Sequence, residues 1–286
     1  MSVAGIAVCL AAGLRLYAAD PEAAVILAKS VAALQKNLEA EKHWNYSSTE
    51  TRQLVNAGGT PVQMMPVVKS EAVILGDGRR CNAVTFWGDG HQPYMKDAAP
   101  EDRCLAYNSI GMPFQTAMLL KSANAKVTER TAKTVTIAVA PDRSHESDPN
   151  YNVRCAAAIE GKILVDVATS FPLEISGKVV DKGCDGDFKP VMHDTPIDRG
   201  PMTGNFRKGS TFRVVWSLQK DKFDNSANSY WITTEQHYDQ PISGEMTVLY
   251  YWGRQFRIRT TAGKRLVKDV TTTAQEFGAG STLTFK

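Results

Sequence analysis

The sequence lacks the signatures by which most enzymes announce themselves. It has no G-x-S-x-G elbow, no P-loop and no strand–GxGxxG–helix unit. Its histidines, His43, His91, His145, His193 and His237, never fall at the short spacings of a zinc site. Asp181, Asp185 and Asp187 crowd one turn, but their spacing is not that of an EF-hand loop. These absences point away from catalysis, and we expect neither metal nor cofactor. A net charge of +3 over 286 residues leaves no concentrated basic face, which argues against a nucleic-acid partner. The longest apolar run near the N-terminus, residues 3–14, is too short to span a bilayer as a helix. It suits an export signal over residues 1–19, so we expect a periplasmic or otherwise exported chain with no integral membrane segment.

Cysteine is also scarce. Removing residues 1–19 leaves Cys81, Cys104, Cys155 and Cys184, an even count that suggests two disulfides in an exported protein. Four cysteines allow three pairings. The favoured set is Cys81–Cys104 and Cys155–Cys184, the latter pair flanking the 161–180 hairpin.

What is present is mainly β pattern. Asp20-Pro21-Glu22 opens a helix with a capping acid and a proline at its first position. Ala24, Leu27, Val31, Leu34 and Leu38 then form an apolar stripe to about His43, with Lys36, Asn37, Glu41 and Lys42 on the other face. Beyond it the period drops to two. Strands are expected over 44–56, 67–75, 79–87, 125–140, 153–165, 172–179, 212–218, 229–238, 245–252, 255–260 and 264–273. Residues 112–121 read as a second, short helix with Pro113 near its start, and 181–209 as a long loop inserted in a single domain, 20–286. In GKILVDVATSFPLEISGKVV (161–180), Asp166-Val167-Ala168-Thr169 is the turn and Pro172 enters a strand. Leu173, Ile175 and Val179 alternate with Glu174, Ser176 and Lys178, one oily face against one polar face. The last third holds 13 of the 24 aromatics, so an apolar ligand surface is sought there, at Trp216, Trp231, Tyr250, Trp252 and Phe256, with Leu173 and Ile175 beside it. The Thr-rich stretches 44–56 and 268–273 are candidates for an exposed sheet edge that would bind an envelope protein partner.

Two segments resemble a known family. MPFQTAMLLKSANAKVTERTAKTVTIAVAPDR, from Met112, is similar to the short helix and strand pair of the LolA-like superfamily, the lipoprotein-sorting carriers. GKILVDVATSFPLEI resembles the hairpin that follows, and Thr211–Asp239 the next meander. The resemblance implies a mainly β (α+β) fold: a strongly curved antiparallel sheet, an unclosed β-barrel, with the long and the short helix as a lid. It also implies a non-enzymatic carrier or sensor that holds acyl chains of lipid or lipoprotein in a hydrophobic cavity.

Overall fold

The computed structural model describes residues 20–41, 46–64, 67–74, 80–88, 104–105, 124–149, 151–182, 208–220, 229–241, 245–249, 255–259 and 265–274. Helix α1 (Pro21–Glu41) is followed by strands β1 (Tyr46–Val55), β2 (Pro61–Met64), β3 (Val67–Ile74), β4 (Arg80–Gly88) and β5 (Cys104–Leu105). Then come β6 (Asn124–Arg130), β7 (Thr134–Ala140), a 3-10 turn (Arg143–His145), helix α2 (Tyr151–Ala157), β8 (Ile159–Asp166) and β9 (Pro172–Val179). The chain closes with β10 (Thr211–Lys220), β11 (Ser229–Pro241), β12 (Glu245–Leu249), β13 (Gln255–Arg259) and β14 (Arg265–Ala274). The expected helix over 112–121 lies outside the described residues.

Twelve of the strands form one curved, open antiparallel sheet in the order β5-β4-β3-β1-β14-β11-β10-β9-β8-β7-β6, with β2 beside β1. Among the described residues, β12 and β13 pair only with each other. This order corrects one expectation. The Thr-rich stretches are β1 and β14, and they are paired along ten residues in the middle of the sheet, Tyr46 opposite Ala274 through Val55 opposite Arg265. Neither offers a free edge. A second correction concerns 153–165, which begins as helix α2 before β8 starts at Ile159. The run Ala156-Ala157-Ala158 favours the helix more than Tyr151 and Val153 favour a strand.

The core lies between α1 and one face of β6–β11. Ala23, Leu27, Val31 and Leu34 meet Ile137, Ile163, Ile175, Val179, Phe212, Val214 and Trp216, all buried. The 161–180 hairpin is held by local chemistry. Asp166 Oδ2 accepts from Thr169 N at 2.7 Å and from Thr169 Oγ1 at 2.6 Å, as the turn reading expects. Ser170, at φ 59°, takes the left-handed position that brings the chain back into β9.

Asp20 does two jobs at the N-terminus of α1. Its Oδ1 accepts from Glu22 N at 2.9 Å, the expected cap. Its backbone N–H donates to Ala125 O at 3.3 Å, and its Oδ2 accepts from Val127 N at 3.1 Å. It thereby occupies outward backbone groups of the edge strand β6, which an intruding strand would otherwise use. The Val127 N–H holds the Asp20 carboxyl below its ordinary value; burial opposes this, and the N–H groups of Glu22 and Ala23 and the Lys126 charge add to it. A carboxyl lowered on folding adds stability that is present above its unfolded pKa and is lost as pH falls through the folded one. We therefore expect Asp20→Asn to melt below the native protein at pH 7, and the two melting temperatures to converge below the ordinary value of 3.8. Thermal scans between neutral and strongly acidic pH check this.

Candidate functional site

The site builds from the 166–171 turn outward. Phe171, 1 % exposed, stands where the turn re-enters β9. Its ring stacks on Trp231 of β11, with centroids 4.8 Å apart and planes at 4°, and meets Trp216 of β10 edge-on at 6.3 Å and 79°. Two strand aromatics and one from the turn before β9 thus form one block on the helix-facing side of the sheet.

Above this block α1 is fastened by Asn37. Its Nδ2 donates to Trp231 O at 2.8 Å, and its Oδ1 accepts from Trp231 N at 3.0 Å. The side chain therefore pairs with β11 as a neighbouring strand would. Asn37 is buried, contrary to its expected place on the polar face of the helix. The stripe is shifted accordingly: Ala23 is buried, whereas Ala24 is exposed. Ser30, also buried, spends its hydroxyl on Ile26 O at 3.0 Å. We expect Asn37→Ala to cost about 2 kcal/mol, because it strips partners from a main-chain donor and acceptor at once. A urea titration followed by tryptophan fluorescence measures it.

The sequence-named residues distribute as follows. Trp216 and Ile175 are buried in the core, and Trp231 packs against it half-buried. Leu173 is half-buried and does not share the plain alternation of Ile175 and Val179. A bulge sets Val165 opposite Pro172 and Leu164 opposite Glu174, so Leu173 is the extra residue. Phe256 is opposite Val248 in the separate β12–β13 hairpin, and its side chain lies outside the described residues. Tyr250 and Trp252 also lie outside them. Cys155 is buried on α2 and disulfide-bonded, with its partner's sulfur outside the described residues. Cys104 is opposite Ala83, which places position 81 one diagonal step from it on the neighbouring strand.

The opposite face of the sheet carries charge. Arg213 donates to Glu174 and Glu235, each at 2.9 Å, and Glu174 foremost holds the guanidinium in its charged form. His237 Nδ1 lies 2.7 Å from Asp269 Oδ1, and Arg265 Nε lies 3.1 Å from Asp239 Oδ1. No hydrogen bond among the described residues brings a Ser, Thr or Cys to the His237–Asp269 pair. No group of three metal-ligating side chains occurs among the described residues, and no described helix is long and apolar enough to cross a membrane.

No protein-family model matches the chain, and no curated protein matches it. Its fold is similar, at low scores, to several solved structures, these three among them. One is a DUF1329 family protein from Desulfovibrio piger, 10% identical over 87% of this chain and 93% of that one, TM-score 0.32. The second is the MucA/MucB complex of Pseudomonas aeruginosa, 11% identical over 89% and 99%, TM-score 0.22. The third is a LolA superfamily protein from Nitrosomonas europaea, 10% identical over 89% and 94%, TM-score 0.26. These scores are too low to carry over a residue or an activity.

Proposed function

We propose that the chain is an exported, non-enzymatic carrier or sensor that holds acyl chains of a lipid or lipoprotein between α1 and the helix-facing side of β6–β11. The observation that supports it most is the way α1 is attached. It is fastened by polar bonds at its two ends, Asp20 to β6 and Asn37 to β11, and touches the sheet between them through Ala23, Leu27, Val31 and Leu34. Releasing the Asn37 end alone would lift a helix off an apolar floor without breaking any strand pairing. Each methylene then buried against that floor contributes about 0.8 kcal/mol, so an acyl chain binds without a charged contact. No covalent step is involved. In this reading Cys155 bonds to Cys184 and Cys81 to Cys104. The hydrogen bond from Val180 N to Ala158 O, 2.9 Å, brings the end of β9 beside the end of α2, on which Cys155 sits.

Native mass spectrometry of protein from its own envelope, before and after organic extraction, tests the proposal. We expect an added mass of lipid or acylated peptide that extraction removes. A protein that carries nothing, and takes up no lipid when offered it, overturns the carrier and leaves a module that binds an envelope protein.

A further inference from the structure

The large sheet parts at one seam. β11 runs from Ser229 to Pro241 and β14 from Arg265 to Ala274, yet the ladder between them covers only Glu235–Pro241 against Arg265–Thr271. Each strand keeps its other neighbour beyond that point. Ser229–Thr233 stay paired with Trp216–Lys220 of β10, and Thr272–Ala274 with Tyr46–Ser48 of β1. Among the described residues, no strand lies beside Ser229–Trp231 on the β14 side. The cause is local. Val215 is opposite Glu235 and the next residue, Trp216, is opposite Thr233, so Thr234 is an extra residue on β11. A bulge of this kind bends its strand and ends the pairing.

A side chain takes the place of the missing strand. Asn37 donates to Trp231 O at 2.8 Å and accepts from Trp231 N at 3.0 Å. One donor and one acceptor side by side are what a neighbouring antiparallel strand would present to the same residue. The edge carries little else to turn a strand away. No charged residue occurs from Asn225 to Thr234, and charge is a usual guard of an open edge. The helix-facing side of this end is apolar and incompletely covered: Leu218, opposite Trp231, is 47 % exposed.

We propose that this edge of β11 docks an extended, uncharged peptide segment of a partner protein, which adds as a strand beside Ser229–Trp231 and displaces the Asn37 amide. Main-chain bonds supply the recognition, and the residue set opposite Trp231 is apolar because it shares the helix-facing side. Helix α1 is then a latch. While Asn37 holds Trp231 the edge is closed, and a strand that wins the Trp231 groups frees that end of the helix. The addition needs no acyl ligand, so it does not rest on the carrier reading.

Asn37→Ala removes the competitor and is the decisive variant. The probe is acetyl-Thr-Val-Thr-Val-Thr-amide, an uncharged strand, and its control is the same peptide methylated at the backbone nitrogens. Tryptophan fluorescence of the whole protein follows binding, and amide exchange by NMR follows the Trp231 N–H. The peptide is expected to bind Asn37→Ala about tenfold more tightly than the native protein, the worth of one to two hydrogen bonds no longer contested. The Trp231 amide should exchange faster in Asn37→Ala and be protected again by the peptide, but not by the methylated control. Equal affinity for the two proteins, no binding to the variant, or binding that leaves Trp231 exchange unchanged overturns the proposal. A variant that protects Trp231 by self-association, without peptide, also overturns it and assigns the edge to a second copy of the chain. If Asn37→Ala does not fold, Asn37→Gln decides, since it keeps the amide but moves it by one methylene. It should bind the peptide more tightly than the native protein, and an unchanged affinity overturns the proposal. None of these readouts involves lipid, so a failed carrier test leaves them standing.

Discussion

Replacing Phe171 by alanine is expected to remove about 3–5 kcal/mol of stability, the range for emptying a large aromatic from a packed core. The residue is 1 % exposed and touches Trp231 face to face and Trp216 edge to face. Such ring pairs add about 0.5–1.5 kcal/mol beyond their buried area. The loss cannot be recovered by local collapse, because Phe171 is fixed at the foot of the Asp166–Thr169 turn. Urea unfolding measures the cost, and near-ultraviolet circular dichroism reports whether Trp216 and Trp231 keep a fixed environment. A cost below about 1 kcal/mol, the level of an ordinary surface change, would mean that the block is loosely packed and that the site is not built around it. Phe171→Leu should retain part of the packing but lose the fixed tryptophan signal.

The second large effect is expected at Gly161. It is opposite Gly177 in the β8–β9 ladder, and a Cβ built on it would stand 2.2 Å from the carbonyl oxygen of Ser176. The obstacle is backbone, not the end of a mobile side chain, so the strands themselves must part. Gly161→Ala is therefore expected to cost about 3 kcal/mol, the upper part of the range for overpacking a filled interior. Gly177 serves as a control. The atoms a Cβ would meet there belong to the side chains of Ile159 and Phe212, at 2.9 Å, which have more freedom to yield. We expect Gly177→Ala to be the milder variant in the same urea titration. The reverse order would show that the ladder at Ser176 gives way more easily than the Phe212 ring.

Local chemistry was legible in the sequence, and long-range chemistry was not. The Asp20 cap, the Asp166–Thr169 turn and the entry of Pro172 into β9 each depend on residues a few positions apart, and the structure has all three. Asn37 reads as an outward polar residue because its partner, Trp231, lies 194 residues away. Trp231 is an ordinary member of a strand until the bulge at Thr234 parts β11 from β14 beside it. Strand order is equally hidden: nothing in the composition of β1 and β14 says that the first strand and the last are neighbours in mid-sheet. Leu173 reads as part of an even alternation, and the bulge that displaces it follows from the turn geometry rather than from residue type.

The junction between β9 and β10 has a consequence for how the chain can change over time. Val179 N donates to Ser210 O at 2.8 Å, and Gly209 N to Val179 O at 2.7 Å. Gly209, at φ +93°, makes the return in a conformation other residues avoid. The 31 residues between Val179 and Thr211, Gly209 and Ser210 among them, therefore leave and rejoin the ladder at neighbouring positions. Closing such an excursion costs an entropy that grows only as the logarithm of its length, about 0.6 kcal/mol for each doubling. A segment so attached is free to lengthen, shorten or be exchanged between lineages while the sheet and the covered floor stay constant. The fold thus separates what must be kept from what can be tried: the ladder holds the shape, and this rung is a place where new sequence can be admitted.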